Sequence, residues 1–383
     1  VNDTPVPREP IQLFVPAFRV EESLEAIRVC LERGWTGSGF LTVEMESAWR
    51  EYTGLPHALF LNSNTSGLHL ALEVLKRRHG WEDADEVIST PLTFVSSNHS
   101  ILHSGLTPVF ADVDESLCID PQSLEERITD RTRAVMFVGI GGNVGCYEEV
   151  LAICRARGLK VILDAAHMTG TRVEGRHVGH DADAAVFSFQ AVKNLPTADA
   201  GMLCFADAED DATARRLSWL GISRDTYERT VDGGAYKWMY EVDELGYKYN
   251  GNSIMAALGM VALKYVDEDN AERRRLSALY DEQLVGQPAI DVVPMSVRCE
   301  PSRHLYQVRV GDRDAVLASL NAHAIYPGVH YRDNSQYGVY APYLADAPRA
   351  RAVSDSIISL PLHLKLSDDD VSYVAETLRA VVQ

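Results

Sequence analysis

The sequence predicts an α/β fold: a large, mostly parallel sheet with helices on both faces, followed by a smaller α+β C-terminal domain. Three observations carry that reading. Short β-branched or apolar runs alternate with amphipathic helical patterns through the first two-thirds of the 383 residues, a rhythm that requires crossover connections. The first strong helical pattern has apolar positions at 68, 70–72 and 74–75, a stripe wide enough to be buried. From about residue 252 the pattern becomes helix-rich and then returns to a short set of strands and helices.

In chain order, the strand candidates are 58–61 (ALFL), 86–90 (EVIST), 108–113 (PVFADV), 134–139 (AVMFVG), 160–165 (KVILDA), 184–189 (AAVFSF) and 202–205 (MLCF). Helical patterns between them cover 66–78, 94–104 and 147–158. Beyond the helix-rich stretch lie strand candidates at 305–311 and 356–362, a helix near 313–322 and a final helix. We place the division at 1–255 and 256–383. Neither a repeat nor a low-complexity tract is visible.

Composition narrows the function. A net charge of −19 argues against gripping nucleic acid through its phosphates and against an anionic membrane surface. No apolar run approaches the roughly 18–20 residues a bilayer span needs. The six cysteines include no CxxC and no zinc-like spacing with histidine, so they read as free thiols in a reducing compartment and no metal site is expected. The opening VNDTPVPREP lacks a basic-then-apolar leader, and a cytoplasmic location is expected.

Function in such sheets gathers at the carboxyl ends of strands. Asp164 ends one apolar strand and is followed by His167; an acid there is costly to bury unless a cation or a donor meets it. The stretch LNSNTSGLHL runs from a strand into a helix, so its N–H groups with the Thr65 and Ser66 hydroxyls suit a phosphate, or simply cap the helix. GIGGNVG at 139–145 is not GxGxxG, since its sixth position is Val144, and a dinucleotide site is not expected there. Lys193, in FSFQAVKNLPTADAG, follows a strand and sits in a Pro- and Gly-broken loop. Alone it reads as a solvated lysine. With an anion site and a strand-end acid it completes what pyridoxal 5′-phosphate requires: an amine for a Schiff base, a phosphate cradle and an acidic partner for the pyridine nitrogen.

Six blocks in order resemble the DegT/DnrJ/EryC1/StrS family of sugar aminotransferases. They are TPLTFVSSNHSILHSGLTPVFADVD, DAAHMTG, FSFQAVKNLPTADAGM, ELGYKYNGNSIMAALG, AIYPGVHY and SLPLHLKLS, and the likeness spans nearly the whole chain. It implies the aspartate-aminotransferase-like fold (fold type I), pyridoxal 5′-phosphate as cofactor, and a homodimer with active sites at the interface. By position, Lys193 would be the Schiff-base lysine and proton shuttle, and Asp164 the partner of the pyridine nitrogen. His167 would lie near the ring hydroxyl and Phe94 on the ring face, with Thr65, Ser66 and Ser188 on the phosphate. Asn250 falls in the block that reaches the neighbour's phosphate, while His330 and Tyr331 would face the sugar. The implied reaction moves an amino group from L-glutamate to the C4 ketone of a nucleotide-linked 4-keto-6-deoxyhexose. Amination at C3, or of a cyclitol or aminobenzoate precursor, is the alternative within the family. A branch that dehydrates has histidine in place of the lysine, and this chain keeps Lys193.

The chain departs from the family pattern at several positions. Gln190 stands where histidine is usual and Asp199 where glutamate is usual. Lys248 replaces asparagine, Asn250 replaces a basic residue, and Gly139 stands where histidine is frequent. A non-enzymatic ligand sensor would need a DNA-binding module, which the N-terminal ~20 residues are too few to hold.

Overall fold

The structure is a computed structural model that describes residues 9–222, 240–343 and 346–382. Its central sheet has seven strands: β1 (Leu59–Leu61), β2 (Glu86–Ser89), β3 (Thr107–Phe110), β4 (Thr132–Val138), β5 (Lys160–Asp164), β6 (Ala184–Ser188) and β7 (Gly201–Phe205). Their spatial order is β1-β7-β6-β5-β4-β2-β3. Five of these strands run in parallel pairs, in agreement with the crossover rhythm. Strand β7 is antiparallel to both β6 and β1. The reason is local: no helix separates Ser188 from Gly201, and without a crossover the chain can only return antiparallel. That return leaves residues 189–200 as a loop over the carboxyl end of β6, and Lys193 is in it.

The helices in chain order are α1 (Val20–Glu32), α2 (Phe40–Thr53), α3 (Asn64–His79), α4 (Val95–His103), α5 (Pro121–Arg127), α6 (Tyr147–Arg157), α7 (Ala208–Ser218), α8 (Ser253–Leu263), α9 (Val266–Leu284), α10 (Arg313–Ala322), α11 (Pro348–Ser356) and α12 (Asp368–Val381). Ser63 caps α3, its hydroxyl accepting from the Ser66 N–H at 3.1 Å, so the helix starts two residues earlier than the pattern at 66–78 indicates. Gly158 ends α6 in the left-handed region at φ 68°, as a C-terminal glycine commonly does.

Strand alternation divides the core into two layers. Val135, Phe137, Leu163, Phe187 and Met202 share one cluster with Met45 and Trp49 of α2. Ala134, Met136, Ile162, Val186 and Leu203 share the other with Leu68, Leu72 and Leu75 of α3. Successive residues face opposite sides, so continuous apolar runs are the price of a sheet covered twice. Farther along, β8 (Ile290–Val292), β9 (Tyr306–Val310) and β10 (Ile357–Leu360) form an antiparallel sheet in the order β8-β9-β10. Helices α9 and α12 cover it through Leu276, Tyr280, Val374 and Leu378. Residues 255 and 256 lie within α8, whose Ala256 belongs to the first layer of the large sheet's core. The early strand Ile11–Gln12 pairs in parallel with Ile325–Tyr326. All six cysteines are unpaired, and among the described residues no helix is long and apolar enough to cross a membrane.

Trp49 is fully buried and meets the Phe187 and Phe189 rings edge-on at 5.0 and 5.1 Å. A Trp49→Ala protein should lose about 3–5 kcal/mol of stability, read from the midpoint and slope of urea unfolding.

Candidate active site

A cavity of about 380 Å³ opens at the carboxyl ends of β4, β5 and β6. The starts of α3 and α4 border it, and Phe14, His304, His330 and Tyr331 close it from the other side. Lys193, Asp164, His167, Ser188, Thr65, Phe94, His330 and Tyr331 all line it. Residues from distant parts of the chain therefore meet in one place. Ser66, an expected member, does not reach it. Ser66 is buried at the start of α3, its hydroxyl 2.6 Å from Asn62 Oδ1. Asn250 bridges Leu61 of β1; its Nδ2 donates to the Gly251 carbonyl, and its buried Oδ1 has no donor among the described residues.

Asp164 forms the inner wall. Burial pushes its carboxyl up from the usual range, opposed by the Ser97 hydroxyl at 2.7 Å, the Ala166 N–H at 3.2 Å and the charge of Lys193. These donors favour the ionised form in a site that otherwise disfavours it. Ser97 escapes a reading of the sequence because its role depends on a contact 67 residues away. The available signal was its place on α4, three residues beyond Phe94 and so on a neighbouring face.

Lys193 keeps part of its surface open to the cavity. Enough protein surrounds the amine that burial lowers its pKa to about 8, with Asp164 pulling the other way. Its loop is held by its own backbone: the Lys193 N–H donates to the Gln190 carbonyl at 2.8 Å, and Phe189 exchanges backbone bonds with Ala200 and Thr197. Gln190, one of the departures, uses its Oε1 to accept from the Val192 N–H at 3.0 Å. Asp199, another, lines the cavity with a carboxyl raised by burial.

The anion cradle is geometric. Ser63 takes one of the helix-start N–H groups, leaving those of Asn64 and Thr65 without helical acceptors beside the cavity. A Cβ on Gly201 would come within 2.7 Å of the Ser63 carbonyl and the Asn64 nitrogen, so β7 can approach this turn only as glycine. Phe94 is 56% exposed, unusual for a large apolar ring unless something covers it, and its centroid lies 6.0 Å from that of Tyr331.

His167 Nδ1 accepts from the Gly141 N–H at 3.2 Å. Its proton is therefore on Nε2, which donates to the Tyr331 hydroxyl at 3.2 Å. Burial first, then the positive charge of Lys193, drives His167 well below the ordinary histidine value and His330 down to about 4. The volume missing at Gly139 is taken by Met168, whose sulfur lies 2.1 Å from where a Cβ would be. Phe14 and His304 also line the cavity and were not singled out from sequence. Phe14 lies ahead of every helical pattern, and His304 sits immediately before what reads as an ordinary strand.

The sequence profile of the DegT/DnrJ/EryC1/StrS aminotransferase family matches residues 18–379. The chain belongs to that family. Its relatives include the spore coat polysaccharide biosynthesis protein SpsC of Bacillus subtilis (strain 168), 35% identical over 375 residues that cover 95% of each chain. Among solved structures, Helicobacter pylori PseC, an aminotransferase involved in the biosynthesis of pseudoaminic acid, superposes with a TM-score of 0.90 at 28% identity over 98% of this chain and 99% of that one. The Streptococcus pneumoniae protein Spr1654, solved in its PLP form, gives 0.88 at 29% identity, covering 97% and 98%. The fold is the type I fold, the activity is that of an aminotransferase, and the family's aminotransferases use pyridoxal 5′-phosphate.

The residues present fit that group. A buried carboxylate held by neutral donors, an exposed aromatic ring, unpaired helix-start N–H groups and an amine with a lowered pKa surround one cavity. Two outcomes are expected. In the cofactor-free protein, acylation of Lys193 followed by peptide mass spectrometry should show a half-maximal rate near pH 8, while surface lysines still accelerate well above it. Ser97→Ala should weaken retention of pyridoxal 5′-phosphate by about tenfold, measured by equilibrium dialysis.

Proposed function

We propose that the protein transfers an amino group from L-glutamate to the C4 ketone of a nucleotide-linked 4-keto-6-deoxyhexose, with dTDP as the nucleotide, in deoxyaminosugar biosynthesis such as that of antibiotics. The observation that carries it is the Lys193 amine, its pKa lowered to about 8, in the same cavity as the buried Asp164 carboxylate. Two relatives that serve polysaccharide and pseudoaminic acid biosynthesis support a sugar as acceptor.

Pyridoxal 5′-phosphate, when bound, supplies an electron sink and carries the amino group between the two substrates. Asp164 would meet the pyridine nitrogen, and the Ser97 hydroxyl and the Ala166 N–H, donating to its carboxyl, oppose the upward push of burial. Thr65 and Ser188 would hold the phosphate at the start of α3, and Ser66, whose N–H is taken by Ser63, would serve it through its hydroxyl bond to Asn62. Phe94 would cover one face of the ring. His167, which donates to the Tyr331 hydroxyl, would lie near the ring hydroxyl, and Tyr331 and His330 would face the sugar.

Lys193 has two tasks. Its neutral Nζ takes the proton from the α-carbon of the amino donor, and later it returns a proton to the sugar carbon from the same face, which fixes the configuration of the amine. A pKa near 8 leaves an appreciable neutral fraction at physiological pH while keeping the ammonium a useful acid. The working unit is a homodimer in the cytoplasm, with Asn250 reaching the neighbour's phosphate region.

Lys193→Ala should lower amino transfer by more than about 10²-fold, read as glutamate-dependent amination; near-normal turnover removes Lys193 from the mechanism. The substrate is tested with nucleotide-linked 4-keto sugars, 3-keto sugars and keto-inositols, the product being identified by mass and NMR. Amination at C4 of the nucleotide sugar is expected. Preference for the 3-keto sugar or the keto-inositol contradicts the assignment.

A further inference from the structure

Behind Lys193 lies a closed hydrogen-bond network. Asn194 is buried and donates its Nδ2 to Asn270 Oδ1 and to the Ser302 carbonyl, each at 2.7 Å. Asn270 in turn donates to the Thr169 carbonyl at 2.9 Å. Because both ends of the chain of amides rest on backbone carbonyls, which only accept, the orientation of Asn194 is settled. Its Oδ1 meets His304 Nδ1 at 2.9 Å, so Nδ1 carries the proton.

His304 has little freedom to do otherwise. It is 1% exposed and lies between the Phe14 ring, stacked at 5.2 Å, and the His167 ring at 4.4 Å. Burial, helped by His167 and Lys193, drives its pKa well below the ordinary histidine value, so it is a neutral, single-proton donor. Its neighbours in sequence are locked too. Ser302 Oγ donates to the His167 carbonyl at 2.5 Å, and the His304 N–H donates to the Gly141 carbonyl at 3.1 Å. Arg303 between them has φ 49°, a left-handed conformation that a non-glycine residue keeps only where its surroundings impose it. The segment leading into β9 is thus bolted against the back of the Lys193 loop and against His167 at once.

We propose that His304 is a positioning residue for amino transfer: its Nδ1–H holds Asn194, and through Asn194 the backbone of Lys193, so that Lys193 Nζ stays at proton-transfer distance from the donor's α-carbon. This rests on the role proposed for Lys193 and on L-glutamate as donor.

Two substitutions separate the functions of the ring. His304→Asn keeps an amide N–H at the place of Nδ1. His304→Gln puts its amide at the place of Nε2 and leaves Asn194 Oδ1 without a donor, and His304→Phe removes both. With the holoenzyme and glutamate deuterated at the α-carbon, His304→Asn should hold kcat within about threefold of wild type. The Gln and Phe variants should lose about 10–100-fold in kcat with little change in KM. They should also show a larger primary isotope effect, because proton transfer by a displaced amine becomes the slow step. In the cofactor-free protein, the pH midpoint for acylation of Lys193 should stay near that of wild type in His304→Asn and rise in the other two, as the amine gains solvent. Asn194→Ala should behave as His304→Phe does, and the double variant no worse than either. Wild-type kcat and isotope effect in His304→Gln, or equal damage in His304→Asn and His304→Gln, overturns the proposal, and this pair decides even if His304→Phe does not fold. If glutamate is not the donor, wild type fails the isotope assay, while the acylation midpoints still read the placement of Lys193 independently.

Discussion

An amine and a carboxyl group buried in the same cavity constrain everything around them. Removal from water pushes Lys193 down and Asp164 up, toward two neutral groups, while the charge on each opposes the shift of the other. A buried pair of this kind adds little to stability, since desolvation offsets most of the attraction. The surroundings are chosen accordingly. Ser97 and a backbone N–H meet the carboxylate, and the nearby rings of His167, His304 and His330 are all driven below the ordinary histidine pKa, with Lys193 contributing in each case. A charged histidine here would repel the amine and pull the carboxylate into a permanent ion pair.

The fold delivers these groups by topology. Parallel strands β4, β5 and β6 end together, so Asp164 at the end of β5 faces whatever lies above β6. The antiparallel return of β7 keeps the Lys193 loop short and over that edge, and Gly201 lets β7 press against the turn that opens α3. The second sheet contributes from the far side. His304, just ahead of β9, and the pair His330–Tyr331 close the cavity, so the chemistry lies between two cores rather than within one.

Much of this was legible in the order of residues. All seven strands of the large sheet lie where short apolar runs mark them, with ends displaced by a few residues. β3, expected to run to 113, ends at Phe110 because Asp112 turns its carboxylate toward the N-terminus of α11 instead. The strand-end acid, the loop lysine and the Thr65 turn were visible because each sits where a strand gives way to a helix or a loop. Ser97, Phe14 and His304 were not, since each acts through contacts made only when distant segments fold together, and serine, phenylalanine and histidine in those settings look like ordinary helix, loop and strand. Ser66 shows the opposite limit: a motif can mark a neighbourhood without placing every side chain in the cavity.

Every role proposed for this cavity depends on Lys193 being the amine that holds pyridoxal 5′-phosphate. Borohydride reduction of the cofactor-loaded protein, followed by proteolysis and mass spectrometry, tests it directly. The expected result is a single pyridoxyl-modified peptide with the label on Lys193. A label on another lysine, or none despite bound cofactor, would contradict it.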